Sequence, residues 1–197
     1  MTNTILFVFL LVLILWGGSY LLDFTDRKRL VYGKKKVKTA LLNFSKQRGF
    51  KLFRNLTLDL DGERIHFDNL VVGFFGLLAV NVLEPQGEYC GEESEDKWVY
   101  TDKDSNRDYI ENPIKQNTDA LSKLKKAIGK EAGIYKFSTD AVTVFGGKES
   151  KTQVYTKSQD KVCYAKNFNA FLKDERFTKD TGVDLDKLVS FITNKIA

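Results

Sequence analysis

From Leu77 to Leu83 the chain reads Leu-Leu-Ala-Val-Asn-Val-Leu, apolar at every place except Asn81. A short unbroken apolar run of this kind, preceded by Gly76 and followed by Pro85, reads as a strand covered on both faces. Such a strand needs other layers packed against each side of its sheet, and the rest of the chain has to supply them. Asn81 is the exception inside it. A buried unpaired amide costs a few kcal/mol, so Asn81 is expected to be hydrogen-bonded.

The flanking segments supply alternating elements. Residues 34–47 read as a helix, with Val37, Leu41, Leu42 and Phe44 on its apolar side and Gly49 closing it. Phe50 to Leu60 reads as a strand in which Leu52, Leu56, Leu58 and Leu60 share parity. Asp61-Gly62 is a strong hairpin turn leading to a second strand, Arg64 to Val72. Beyond Gly87, Tyr89-Cys90 and Lys97 to Tyr100 read as a hairpin. Asn112-Pro113 then announces a helix, with asparagine as cap and proline at the first helical position. Ile114, Asn117, Leu121, Leu124 and Ile128 recur on it at helical spacing until Gly129 or Gly133. Ala141 to Phe145 and Val162 to Ala165 read as strands, with a turn over 146–150; Asn167 to Phe171 and Asp184 to Ile196 read as helices. The order predicts an α/β fold with a mixed sheet flanked by helices.

Ahead of this lies a second constraint. Thr4 to Leu22 contains no charged residue. As helix its 19 residues span roughly 28 Å, close to the thickness of a bilayer's hydrocarbon core. No basic residue precedes the run and no A-x-A-like site follows it, which argues against a cleaved signal peptide. Arg27, Lys28 and Arg29, then Lys34, Lys35, Lys36 and Lys38, follow it. The positive-inside rule places that flank in the cytoplasm, and basic residues there also gain from anionic lipid. The expectation is one transmembrane helix over 1–22, a basic juxtamembrane linker over 23–32 and one domain over 33–197. The protein is thus expected in the cell membrane, single-pass, with its C-terminal domain cytoplasmic.

Cys90 and Cys163 show no metal-ligand spacing and, in a cytoplasmic domain, stay reduced; both read as small core residues. The net charge of +5 is unevenly spread: residues 23–60 carry +8, residues 61–120 carry −9 and residues 121–197 carry +6. The basic total is therefore no nucleic-acid footprint, because the acidic third contains the central strands.

Several pieces occur in an order that resembles a known family. Phe67-Asp68 is followed by Leu70-Val71-Val72-Gly73, then Gly76 to Val80, Gly87 and Gly91. Trp98, Asn112-Pro113-Ile114-Lys115-Gln116 and Val142 to Phe145 complete the set. Together they resemble the nuclease-related domain (NERD) family, which is similar in fold to restriction endonucleases. The resemblance implies a restriction-endonuclease-like core and a catalytic pattern. That pattern has an acidic residue on the first helix, an aspartate on one strand, and a glutamate and lysine two apart on the next. Here Gly33 is followed by Lys34, the aspartate is Asp68, and the glutamate and lysine positions hold Asn81 and Leu83. The histidine that commonly follows the aspartate is Asn69.

Phosphodiester hydrolysis of this type needs carboxylates to hold Mg²⁺ and a cation to support the attacking water. One carboxylate, an amide and a leucine do neither. No cofactor is expected, and the implied function is a catalytically inactive nuclease-like domain, tied to the membrane, that binds a protein or nucleic-acid partner. The alternative is an active Mg²⁺-dependent DNA or RNA nuclease in which Asp68 works with a migrated Glu84 or Glu88; Glu63 also lies nearby in sequence. A third class is a lipid- or wall-associated structural protein working through its basic juxtamembrane run.

Simpler roles stand beside these. Asp68 as a strand-end aspartate satisfies backbone amides or pairs with Arg64. A contact between Asn81 and Asp68 would be a relic of a metal site. His66, the only histidine, stands on the same strand face as Asp68 and reads as a structural or surface residue. Lys123, Lys125, Lys126 and Lys130 read as a solvated helix face rather than a nucleic-acid contact.

Overall fold

Two mixed sheets, where one was expected, carry the described chain, residues 33–197 of a computed structural model. The expected transmembrane helix and linker lie outside the described residues, and among the described residues no helix is long and apolar enough to cross a membrane. In chain order the elements are α1 (33–48), β1 (Lys51–Leu60), β2 (Glu63–Gly73), β3 (Gly76–Leu83), β4 (Gly87–Cys90), β5 (Lys97–Thr101) and β6 (Arg107–Glu111). They continue with α2 (Pro113–Ala132), β7 (Ser138–Phe145), β8 (Thr152–Tyr155), β9 (Val162–Tyr164), α3 (Phe168–Phe171) and α4 (Leu185–Asn194).

The first sheet has the order β1-β2-β3-β7-β9. Strands β1 to β3 form an antiparallel meander, and β3, β7 and β9 run parallel. The apolar run does what its composition demands. Leu77 and Ala79 point into a core shared with Leu121, Leu124 and Ile128 of α2 and with Leu188 and Ile192 of α4. Leu78 and Val80 point the other way, to Val37, Leu41 and Phe44 of α1 and to Phe168 beside it. The result is three layers, helix–sheet–helix. Asp61-Gly62 turns β1 into β2 with φ of 56° and 88°, the left-handed pair a tight hairpin needs.

The second sheet has the order β6-β5-β4-β8, and β6 and β8 are additions to the sequence expectation. Both are short and largely exposed, so they carry no apolar alternation to read. This sheet closes a third core around Tyr89, Trp98, Ile114 and Phe145. Gly91 explains its place in the motif: a Cβ there would lie 2.2 Å from Trp98 Cδ1. Trp98 donates its indole N–H to the Glu92 carbonyl at 3.2 Å.

Besides Leu42, which is exposed on α1 and not part of its buried side, two expectations need correction. Leu52 does not join Leu56, Leu58 and Leu60; it packs on the α1 side while Phe53 takes its place. The cause is a kink at Asn55, held at φ 49°, opposite Asp68. The β1–β2 ladder keeps one register but omits that pair. On β2 the buried series changes there from Ile65 and Phe67 to Leu70 and Val72. The second correction concerns Cys90, which is exposed; Cys163 is partly buried, and that burial pushes its thiol up to about 12.

Candidate functional site

Asp68 stands at that kink, where β2 leaves the regular alternation. The β2–β3 ladder ends with Asn69 opposite Val80, so continuing its register sets Asp68 opposite Asn81 on the α2 side of the sheet. Past this point the strands part, and the Asn69 side chain donates to the Val80 carbonyl at 3.1 Å. A cleft of about 470 Å³ opens between β2, β3 and α2. Asp68, Asn81 and Leu83 all line it, so the fold brings together the positions singled out from the sequence.

Helix α2 forms the cleft's third wall, and Asn112 fixes where it starts. Its Oδ1 accepts from the amides of Ile114 and Lys115, and its Nδ2 lies 2.6–3.1 Å from the carbonyls of Glu92, Glu93 and Glu95. The helix then presents Gln116, Ala120 and Lys123 to the cleft, at spacings of four and three residues. Asn117 and Asp119 also line it. Of these five, the sequence singles out Lys123 alone, weighed as a nucleic-acid contact and read as part of a solvated helix face. Gln116 lay within the Asn-Pro-x-x-Gln motif, which was a usable signal; the others required knowing which face of α2 meets β3.

Asn81 is hydrogen-bonded as expected, but not to Asp68. It donates through Nδ2 to the Pro113 carbonyl at 3.1 Å, tying the end of β3 to the first turn of α2. Asn81 thus serves as a structural clasp and not as a relic contact to Asp68. Asn81 Oδ1 is buried without a hydrogen-bond partner, as is Asn117 Nδ2. Asp68 instead meets His66, whose Nε2 lies 3.5 Å from Asp68 Oδ1, with both side chains about half exposed. Thr57 on β1 contacts His66 Nδ1 at 3.2 Å. Leu83 packs against the third core.

Charge in the cleft is held in pairs. Asp119 is bridged by Lys115 at 2.9 Å, a hydrogen bond that holds the Lys115 ammonium above its ordinary range. Lys123 pairs with Glu63. Lys125 donates to the Phe137 carbonyl at 2.9 Å, and Lys130 pairs with Asp61 at 3.1 Å. Three of the four α2 lysines considered for nucleic-acid contact are thus engaged within the fold; Lys126 is exposed. Glu84 lies 3.6 Å from Lys34 of α1, and Glu88 is exposed on β4 of the second sheet. Neither lines the Asp68 cleft. Among the described residues, no three His, Cys, Asp or Glu side chains gather as a ligand set.

The cleft thus offers one half-exposed carboxylate beside an imidazole, a floor of amides and leucine, and a helix face bearing paired charges. Its positions fall within the region matched by a family model, that of the nuclease-related domain, which spans residues 30–146. No curated protein and no solved structure matches the chain. The matched region runs from the start of α1 through β7, covering Gly87, Gly91, Trp98 and the Asn-Pro start of α2. On that match the chain belongs to the nuclease-related domain family.

Proposed function

We propose that this chain is a membrane-anchored member of its family whose restriction-endonuclease-like core binds a partner and does not cleave phosphate esters. The observation that carries the reading is Asn81. It stands across from Asp68, where the family resemblance expects a glutamate, and is used as a clasp to Pro113. Its remaining oxygen is a neutral amide buried away from solvent. Two positions on, Leu83 packs against an apolar core. The donor set fits a divalent cation poorly. Asp68 is the one carboxylate on the paired strands facing the cleft, and Asp119 across from it is held by Lys115. Hard cations such as Mg²⁺ take several oxygen ligands, with carboxylates leading.

The occupant we favour is a protein. Residues 61–120, which include β2, β3 and strands β4 to β6 of the second sheet, carry a net charge of −9 and repel a phosphate backbone. The anchor reading rests on Thr4 to Leu22, an uncharged stretch followed by a basic flank. The test is incubation of the full chain, in detergent, with supercoiled and linear DNA plus Mg²⁺ or Mn²⁺. No cleavage is expected. Cleavage that disappears in Asp68→Ala overturns the reading and favours the active-nuclease alternative.

A further inference from the structure

A second, larger cleft lies at the carboxyl ends of the parallel strands. Leu83 of β3 is in register with Phe145 of β7, and Phe145 with Tyr164 of β9, so the three strands stop at one level. The segments leaving β7 and β9, with the first described turn of α1, line a space of about 810 Å³. Open α/β sheets hold ligands at this place, beyond the carboxyl ends of parallel strands.

The lining is cationic and partly bare backbone. Lys36, Lys148 and Lys166 line it, with Gly146 and Gly147 between them. Glu149 is the carboxylate among them, and it is bridged to Lys166. Glu84, the other acid near this turn of α1, is held by Lys34. Two glycines set the shape. A Cβ on Gly33 would lie 2.2 Å from the Gly146 carbonyl oxygen, so α1 and the β7 loop touch backbone to backbone. A Cβ on Gly147 would lie 2.3 Å from Thr152 Oγ1.

We propose that this cleft receives the phosphate of an anionic lipid headgroup and seats the domain against the membrane. The inference rests on the anchor reading above. The apolar run ends at Leu22, and Gly33 on the cleft's rim follows eleven residues later. Eleven extended residues reach about 40 Å at most, so the cleft stays within a short tether of the bilayer surface. Arg27, Lys28 and Arg29 in the tether are drawn to the same anionic surface. The three cleft lysines come from α1, the β7 loop and the residues after β9; with Lys166 bridged to Glu149, Lys36 and Lys148 carry the net positive charge, so the folded domain, and not the linker alone, supplies it.

The test places the full chain in nanodiscs of phosphatidylcholine, with or without about 30 mol % phosphatidylglycerol, and follows amide hydrogen exchange. Phosphatidylglycerol is expected to slow exchange over residues 146–151 by about fivefold or more. Combined Lys36→Glu, Lys148→Glu and Lys166→Glu should abolish the difference while leaving exchange in α2 unchanged, which shows that the fold persists. Inorganic phosphate at about 10 mM, added to phosphatidylcholine discs, should not reproduce the slowing. Equal exchange in the two lipids, or slowing by free phosphate alone, overturns the headgroup site. A chain that elutes apart from the discs overturns the anchor reading, and this proposal with it.

Discussion

Asn112 uses its whole amide on two neighbours, capping α2 through Oδ1 and gathering three carbonyls of the 92–95 loop through Nδ2. Removing it both uncaps the helix and takes the donor from three part-buried loop carbonyls. Asn112→Ala should therefore lose about 3 kcal/mol in urea unfolding, while changes at neighbouring exposed Glu111 stay within about 0.5 kcal/mol. The cysteines separate by environment. Cys163, with its thiol pushed up to about 12 by burial, should resist alkylation at neutral pH, while exposed Cys90 reacts. Mass spectrometry after brief iodoacetamide treatment should find the label on Cys90 alone. That contrast was not legible in the sequence, where both cysteines read as core residues; Cys90 falls on the open face of a short strand whose alternation spans too few residues to read.

At the scale of elements, legibility follows pattern length. The α2 start, the Asp61-Gly62 turn and β3 were readable because each carries a strong local signal: a cap with proline, a left-handed pair, an unbroken apolar run. The strands β6 and β8 were not, since five and four mostly exposed residues offer no period. The reversal in β1 and β2 was hidden because parity arguments assume an unkinked strand. Asn55 holds that reversal at φ 49°, a conformation asparagine and glycine tolerate and β-branched residues resist. Asn55→Gly should be close to neutral in thermal unfolding, and Asn55→Val should cost about 1–2 kcal/mol. The β5–β6 turn makes a pH prediction. Hydrogen bonds from the Asn106 side chain and backbone hold Asp102 below its ordinary range. Its stabilising contribution is present above the ordinary carboxylate value and is lost as pH falls through the lowered folded value. Carboxyl NMR should show Asp102 titrating below the ordinary aspartate range, and Asn106→Ala should move it upward.

At the scale of the molecule, the two clefts are built from different elements: β2, β3 and α2 line the Asp68 cleft, and the start of α1 with the segments after β7 and β9 lines the lysine-rich one. The sequence named Asp68, Asn81 and Leu83, and the fold brings them together, because neighbouring strands in a meander put equivalent positions side by side. It did not reveal that Asn81 serves α2, since a bond to Pro113 joins residues 32 apart in the chain. The account turns on Asp68 lacking carboxylate partners for a metal. The most direct measurement is Mn²⁺ titration of the full chain, followed by electron paramagnetic resonance and compared with Asp68→Ala. The account predicts indistinguishable curves for the two proteins, with only weak, nonspecific uptake. A stoichiometric Mn²⁺ site in the natural chain that vanishes in Asp68→Ala would contradict it.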